Sequence, residues 1–265
     1  MSFLASALAN ETPLLGSTLA FGTPFSAQLL SRVGFHYLMV DMEHNPLSSR
    51  EASLLTHAIV SASRGKCKAL IRVPSHGVEW IKWALDCGSA GILIPMVQSA
   101  DEMEQIIKMA VYPPRGQRSF GPAMAPFASV DPTSSVVQYL NETSKDVAVI
   151  PMIESSQGLE KAEEICAVDG VTAVFVGPAD LRLSMGLAGA EGSEKVYLDA
   201  LQSLVGICKR LGKPIGIFAA DEETCRKRTA DGFDYILLPG EAAMLVAGAK
   251  AQLEACRRGV NNARL

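Results

Sequence analysis

The sequence predicts a (β/α)8 TIM barrel, folded as one domain over residues 1–265. Three observations predict it. Eight short runs rich in Val, Ile and Leu recur along 265 residues, each followed by a loop and an amphipathic stretch. The chain is 48% hydrophobic with mean hydropathy +0.20, the apolar excess expected of parallel strands covered on both faces. Polar residues stand just past the ends of those runs: Asp41, Glu43 and His44 after FHYLMV, Arg72 after CKALI, Glu154 after DVAVIPMI and Asp180 after VTAVFVGP. A parallel barrel gathers such positions into one ring at one mouth, where its active site lies.

In chain order, strands are expected at 14–22, 35–41, 67–73, 91–97, 146–153, 171–177, 214–219 and 235–239. Helices fit 24–33, 48–63, 75–88, 99–111, 157–168, 193–211, 221–230 and 240–258. In 75–88, Ser75 is placed to cap the start, Val78, Ile81, Trp83, Ala84 and Leu85 supply an apolar face, and Gly88 stops the helix. One connection breaks the rhythm. Residues 112–145 far exceed an ordinary loop and hold a short helix near 132–142. The ends of this segment belong at the bottom of the barrel. Its length allows either a packing excursion or the delivery of Arg115, Arg118 and Gly121 to the mouth or to a neighbouring subunit.

Composition excludes several classes. With 24 basic and 28 acidic residues the net charge is −4, and no Lys/Arg cluster marks a nucleic-acid surface. No apolar run approaches a membrane span, and the N-terminus lacks a secretory pattern. The six cysteines have no CxxC spacing and read as reduced thiols, which suits a cytoplasmic protein. The terminal Ala263-Arg264-Leu265 also fits the small–basic–Leu form of a peroxisomal signal, meaningful in a eukaryotic source.

Glu154 and Asp180 end neighbouring strands. Two hard oxygen donors there suit Mg2+, Mn2+ or Co2+, with water and substrate completing the shell. Either carboxylate alone would equally cap the helix that follows it. His44 is the side chain suited to moving a proton near neutrality, and Asp86 or Asp41 could support its ring. Arg72 at the mouth can hold a carboxylate or stabilise an enolate oxygen. Gly177-Pro178-Ala179-Asp180 opens a helix whose N–H groups at Ala179 and Asp180 can bind a substrate carboxylate. No Lys falls at a strand's C-terminal end, so enolate formation at a metal is favoured over enamine chemistry. Nothing implies an organic cofactor.

VDMEH, IRVP, ALDCGSAGILIPMV, YPPRGQRSFGP, PMIES and FVGPADL occur in that order. Together they resemble the HpcH/HpaI family of class II, metal-dependent pyruvate aldolases. Its members act on 4-hydroxy-2-oxoheptanedioate or 2-dehydro-3-deoxyglucarate, and macrophomate synthase is related. The likeness runs from about Gly16 to Leu245. It implies cleavage of a 4-hydroxy-2-oxoacid to pyruvate and an aldehyde through a pyruvate enolate. It implies Glu154 and Asp180 as metal ligands, and His44, supported by Asp86 and acting through water, as base. Arg72 would face the keto or enolate oxygen, and the amides of Ala179 and Asp180 would hold the pyruvate carboxylate. It also implies a homohexamer, a trimer of dimers exchanging helix 240–258. The chain departs from the pattern at Met152, where bacterial members usually carry Gln. That leaves open an oxaloacetate decarboxylase or macrophomate synthase-like enzyme using the same enolate. An oxoacid-binding barrel without turnover is the remaining alternative.

Overall fold

The computed structural model describes residues 2–9, 12–131, 133–189 and 191–262. Strands β1 Leu14–Leu19, β2 Tyr37–Asp41, β3 Lys68–Arg72, β4 Gly91–Ile94, β5 Ala148–Ile153, β6 Val174–Val176, β7 Ile215–Phe218 and β8 Tyr235–Leu238 form a closed barrel in sequence order. Every pairing is parallel, including the closing pair of β1 with β8. Around them lie α1 Pro24–Leu30, α2 Ser49–Ser63, α3 Val78–Asp86, α4 Ala100–Ala110, α5 Val136–Asn141, α6 Ser156–Glu160, α7 Ala162–Ala167, α8 Pro178–Ser184, α9 Lys195–Leu211, α10 Glu222–Asp231 and α11 Glu241–Asn262. All eight expected strands are present. Thr23, Ser48, Ser99 and Asp221 cap α1, α2, α4 and α10 through their side chains, so chain leaving the mouth turns straight into a helix.

Two local expectations need correction, and one left open is narrowed. Gly77, not Ser75, is the N-cap of α3, and no side chain bonds there. The helix expected at 157–168 breaks at Lys161 into α6 and α7. Gly158 explains the placement of α6: a Cβ there would lie 2.8 Å from the Val97 carbonyl, so only glycine allows so close an approach. The 112–145 segment stays low on its own chain. Arg118 is buried against Asp86 and Tyr139, and Arg115 pairs with Asp169 on the surface.

Side chains alternate across each strand, so residues two apart share a face. The inner face holds Tyr37 and Met39 of β2, Leu70 of β3, Leu93 of β4, Ala148, Ile150 and Met152 of β5, Phe175 of β6, and Tyr235 and Leu237 of β8, all buried in one cluster. Leu4 and Ala7, from the 3-10 turn Phe3–Ala9, plug this interior from below. Two glycines make room for its rings. Gly16 pairs in register with Tyr37, and Gly216 with Tyr235; a Cβ at either would lie 2.3 or 2.2 Å from the facing ring. The second apolar layer, between barrel and helices, is larger and includes Val40, Ile71, Ile153 and Val176. Continuing the inner alternation by one step up each strand reaches Asp41, Arg72 and Glu154. The polar ring is therefore the top layer of the same interior, above an apolar floor.

Candidate active site

Asp41 and Arg72 face each other in the β2–β3 register. Arg72 Nε donates to Asp41 Oδ1 and Nη2 to Oδ2, both at 2.8 Å. This side-on fork fixes the guanidinium plane. Asp41 also accepts from Asn45 Nδ2 at 2.8 Å and from the Glu43 N–H at 3.2 Å, so the same carboxylate shapes the turn that carries Glu43 and His44. Arg72 Nη1 lies 3.1 Å from Glu43 Oε2. That oxygen is buried and outside hydrogen-bond geometry with any described group. Burial opposes the Arg72 charge, but the hydrogen bonds to Asp41 and the charges of Asp41, Glu43 and Glu154 outweigh it and raise its pKa.

Glu154 directly follows β5 and is 3% exposed. Its Oε1 accepts the Met96 N–H at 2.7 Å. Met96 has φ +52, a left-handed conformation that costs a non-glycine residue about 1–2 kcal/mol. Burial pushes the Glu154 carboxyl up to about 7; the Met96 N–H pulls against it, and the charges of Glu43 and Asp180 add to the rise. The Glu43 carboxyl is raised too, first by burial, with Arg72 and His44 opposing and Asp41 and Asp180 reinforcing. Glu43, Glu154 and Asp180 are thus close enough to repel one another, and the nearby guanidinium is already locked to Asp41.

The residues present fit a divalent cation. A Cβ on Gly177 would fall 2.1 Å from Glu154 Oε2, so the bare glycine leaves this carboxylate its space. The hard oxygen donors and the excess of negative charge suit a dication. Among the described residues no three His, Cys, Asp or Glu side chains form a ready metal cage. A cation on Glu154 and Asp180 would fill its shell with water and substrate oxygens. Gly177 is the N-cap of α8 and offers no side chain, leaving the Ala179 and Asp180 N–H groups at the helix start without a side-chain cap.

Of the residues expected at the site, Asp41, Glu43, His44, Arg72, Glu154 and Asp180 converge. The His44 side chain is exposed, with Nε2 3.5 Å from Glu43 Oε2. Asp41, by contrast, is spent on Arg72 and the turn rather than on the His44 ring. Asp86 ends α3, at the opposite end of the barrel from the mouth, and binds Arg118 Nη2 at 2.7 Å. Within one chain it does not meet His44. Sequence reasoning missed the Met96 N–H, because nothing in LIPMV signals a left-handed residue. His76, in the loop after β3, bonds Glu102 and the Pro95 carbonyl.

Fold and ring together define a TIM-barrel enzyme with its carboxylates and its one locked guanidinium at the C-terminal mouth. The chain belongs to the HpcH/HpaI aldolase/citrate lyase family, whose model matches residues 19–260. It is 35% identical to a 4-hydroxy-2-oxovalerate aldolase of Rhodococcus jostii, over 87% of this chain and 86% of that protein. It is 30% identical to a hydroxypyruvate/pyruvate aldolase of Paraburkholderia phytofirmans, over 96% and 97%. An HpcH/HpaI aldolase/citrate lyase family protein from Burkholderia cenocepacia J2315 superposes with TM-score 0.86 at 28% identity, covering 97% of this chain and 99% of that one. Macrophomate synthase superposes with TM-score 0.81 at 26% identity, covering 97% and 89%. Among the described residues no helix is long and apolar enough to cross a membrane. The terminal Ala263-Arg264-Leu265 lies outside the described residues.

Proposed function

We propose that this chain is a divalent-metal-dependent aldolase cleaving a 4-hydroxy-2-oxoacid reversibly to pyruvate and an aldehyde. The observation that carries the reading is Glu154: a buried carboxylate pushed up to about 7, crowded by Glu43 and Asp180, open toward Gly177 and next to a locked guanidinium. Glu154 and Asp180 would hold the cation. When bound, a divalent metal supplies Lewis acidity toward the 2-oxo group. The Ala179 and Asp180 N–H groups orient the substrate carboxylate, and Arg72 faces the 2-oxo oxygen. In cleavage, His44 takes the C4 hydroxyl proton through a water. The C3–C4 bonding pair passes into the enolate, C4 leaves as the aldehyde carbonyl, and C3 regains a proton to give pyruvate. Glu43 is the carboxylate beside the His44 ring in one chain; Asp86 would support it only from a neighbouring copy.

The relatives' names support this reaction class, and an oxoacid panel assayed with Mg2+, Mn2+ and Co2+ against a chelator control tests it. Decarboxylation of oxaloacetate delivers the same enolate. The likeness to macrophomate synthase and the thioether of Met152 in the apolar floor favour keeping that second reading. Release of CO2 with no aldehyde product separates the two. A homo-oligomer fits as well. Helix α11 lies exposed along nearly its whole length, with Leu245, Val246, Leu253 and Val260 uncovered, as a helix exchanged between copies of a hexamer would be.

Two outcomes are expected here. Dication affinity should rise about tenfold per pH unit until about pH 7 and then level off, because ligation must displace the Glu154 proton below that value. Calorimetry across that range reads it, and a flat profile removes Glu154 from the ligand set. His44→Ala should slow exchange of pyruvate methyl protons with deuterium by about 10²-fold while pyruvate affinity changes little, since a base acts on the transition state. Equal losses in both would make His44 a binding group.

A further inference from the structure

One peptide unit at the mouth is gripped from both ends. The Pro95 carbonyl accepts from His76 Nε2 at 2.5 Å, and the Met96 N–H of the same peptide donates to Glu154 Oε1 at 2.7 Å. His76 comes from the loop after β3, and Glu154 from the end of β5. The ring is held in turn: Nδ1 lies 2.8 Å from Glu102 Oε1 in the first turn of α4. Both partners are acceptors, so the imidazole donates from both nitrogens when both bonds are made. Glu102 Oε2 also accepts the Gln98 N–H at 2.8 Å, which ties the ring, the loop after β4 and the helix start into one unit.

That grip opposes a specific alternative. Met96 is one of two non-glycine residues with positive φ among the described residues. Flipping the Pro95–Met96 peptide would let Met96 return to negative φ, the conformation its side chain prefers. The same flip would turn a carbonyl oxygen toward Glu154 in place of an N–H. A carbonyl there repels a carboxylate, whereas the N–H stabilises it and fixes which of its oxygens stays free.

We infer that His76 is a positioning residue for Glu154: by holding the Pro95 carbonyl it keeps the strained peptide unflipped and the Met96 N–H aimed at the carboxylate. In this role His76 acts through its bonds to Glu102 and the Pro95 carbonyl alone. It presets the carboxylate so that Oε2 faces the space beside Gly177. Gln at this position would keep one donor for the Pro95 carbonyl, and Ala would keep none. The consequence for cation binding rests on the ligand role proposed for Glu154; the peptide geometry does not.

Two readouts on the intact protein decide it. The first is solvent exchange of the Met96 amide in metal-free protein labelled with 15N-methionine. His76→Ala should accelerate that exchange at least about tenfold and shift its resonance, while His76→Gln stays close to wild type. The second is calorimetric Mg2+ affinity. Outer partners of a ligand are worth about 10–100-fold in metal affinity, and a loss in the lower part of that range is expected for His76→Ala. Adding Met96→Gly, which removes the cost of positive φ, should recover part of it. Ser135→Ala loosens the cap of α5, which bonds neither His76 nor Glu102, and should lower thermal stability but leave Mg2+ affinity unchanged. An unchanged Met96 amide in His76→Ala overturns the inference. Wild-type protein that binds no Mg2+ overturns the ligand role of Glu154 instead, and the amide readout still judges His76.

Discussion

Glu154→Gln is expected to abolish most dication binding and to lower turnover by at least about 10³-fold, while making the metal-free protein more stable near pH 8. The two effects share one cause. Burial and the neighbouring carboxylates push Glu154 up to about 7 from its ordinary 4.5. A carboxyl raised in the folded state favours folding fully below its unfolded pKa. It gives that advantage up as pH rises through the folded value. Across the window from 4.5 to about 7 the forfeited stability is about 3 kcal/mol, an order-of-magnitude figure for a group that is 3% exposed. Gln keeps the shape and still accepts the Met96 N–H, but it carries no charge to desolvate. Wild-type protein without metal should therefore weaken in urea as pH climbs through that window, and Glu154→Gln should not. Saturating Mg2+ should restore the wild type and leave the variant unmoved. Full turnover in exhaustive chelator, or identical pH profiles for the two proteins, would sink this account. Asp180→Asn should lose binding and turnover in the same way, which separates ligand loss from the stability effect peculiar to the buried glutamate.

The barrel was legible because a parallel strand buried on both faces must be an unbroken apolar run, and eight such runs at regular intervals leave few other architectures. The polar ring was legible for the same reason: Arg72, Glu154 and Asp180 interrupt or follow runs that otherwise tolerate no charge. Partnership among those residues was not. The Asp41–Arg72 fork depends on a strand register, and a list of strand ends does not contain registers. Asp86 shows the converse. A carboxylate at the end of α3 carries no mark in sequence of which end of the barrel it occupies; within one chain it lies at the bottom, bound by Arg118. Arg118 itself comes from the long 112–145 segment, whose course no periodicity announces. The break at Lys161 and the left-handed Met96 escaped for a related reason. Neither is written in the local residues: α6 lies close against the Val97 carbonyl at Gly158 before the chain breaks, and the Met96 peptide is held between His76 and Glu154.

Arg72→Lys is expected to cost on the order of 10²-fold in kcat and on the order of 2 kcal/mol in stability, although the charge is kept. In the wild type both oxygens of Asp41 are bonded by one planar group at 2.8 Å, and a third guanidinium nitrogen faces Glu43 at 3.1 Å. An ammonium has no plane and a single nitrogen. It can serve one Asp41 oxygen, or the gap between Asp41 and Glu43, but not all of these together with a substrate oxygen. Asp41 is 3% exposed, so an oxygen left without its donor bears a desolvation penalty that water cannot relieve. The turn through Glu43 and His44 hangs from the same carboxylate, and loosening it displaces the proposed base as well as the oxyanion partner. Loss should therefore fall on kcat more than on pyruvate affinity, because the substrate carboxylate is assigned to the amides of Ala179 and Asp180. Steady-state kinetics beside pyruvate calorimetry distinguishes the cases. If Lys at this position turns over within a few-fold of wild type, the Asp41–Arg72 fork is a structural tie between β2 and β3, and the enolate oxygen must be stabilised elsewhere in the ring.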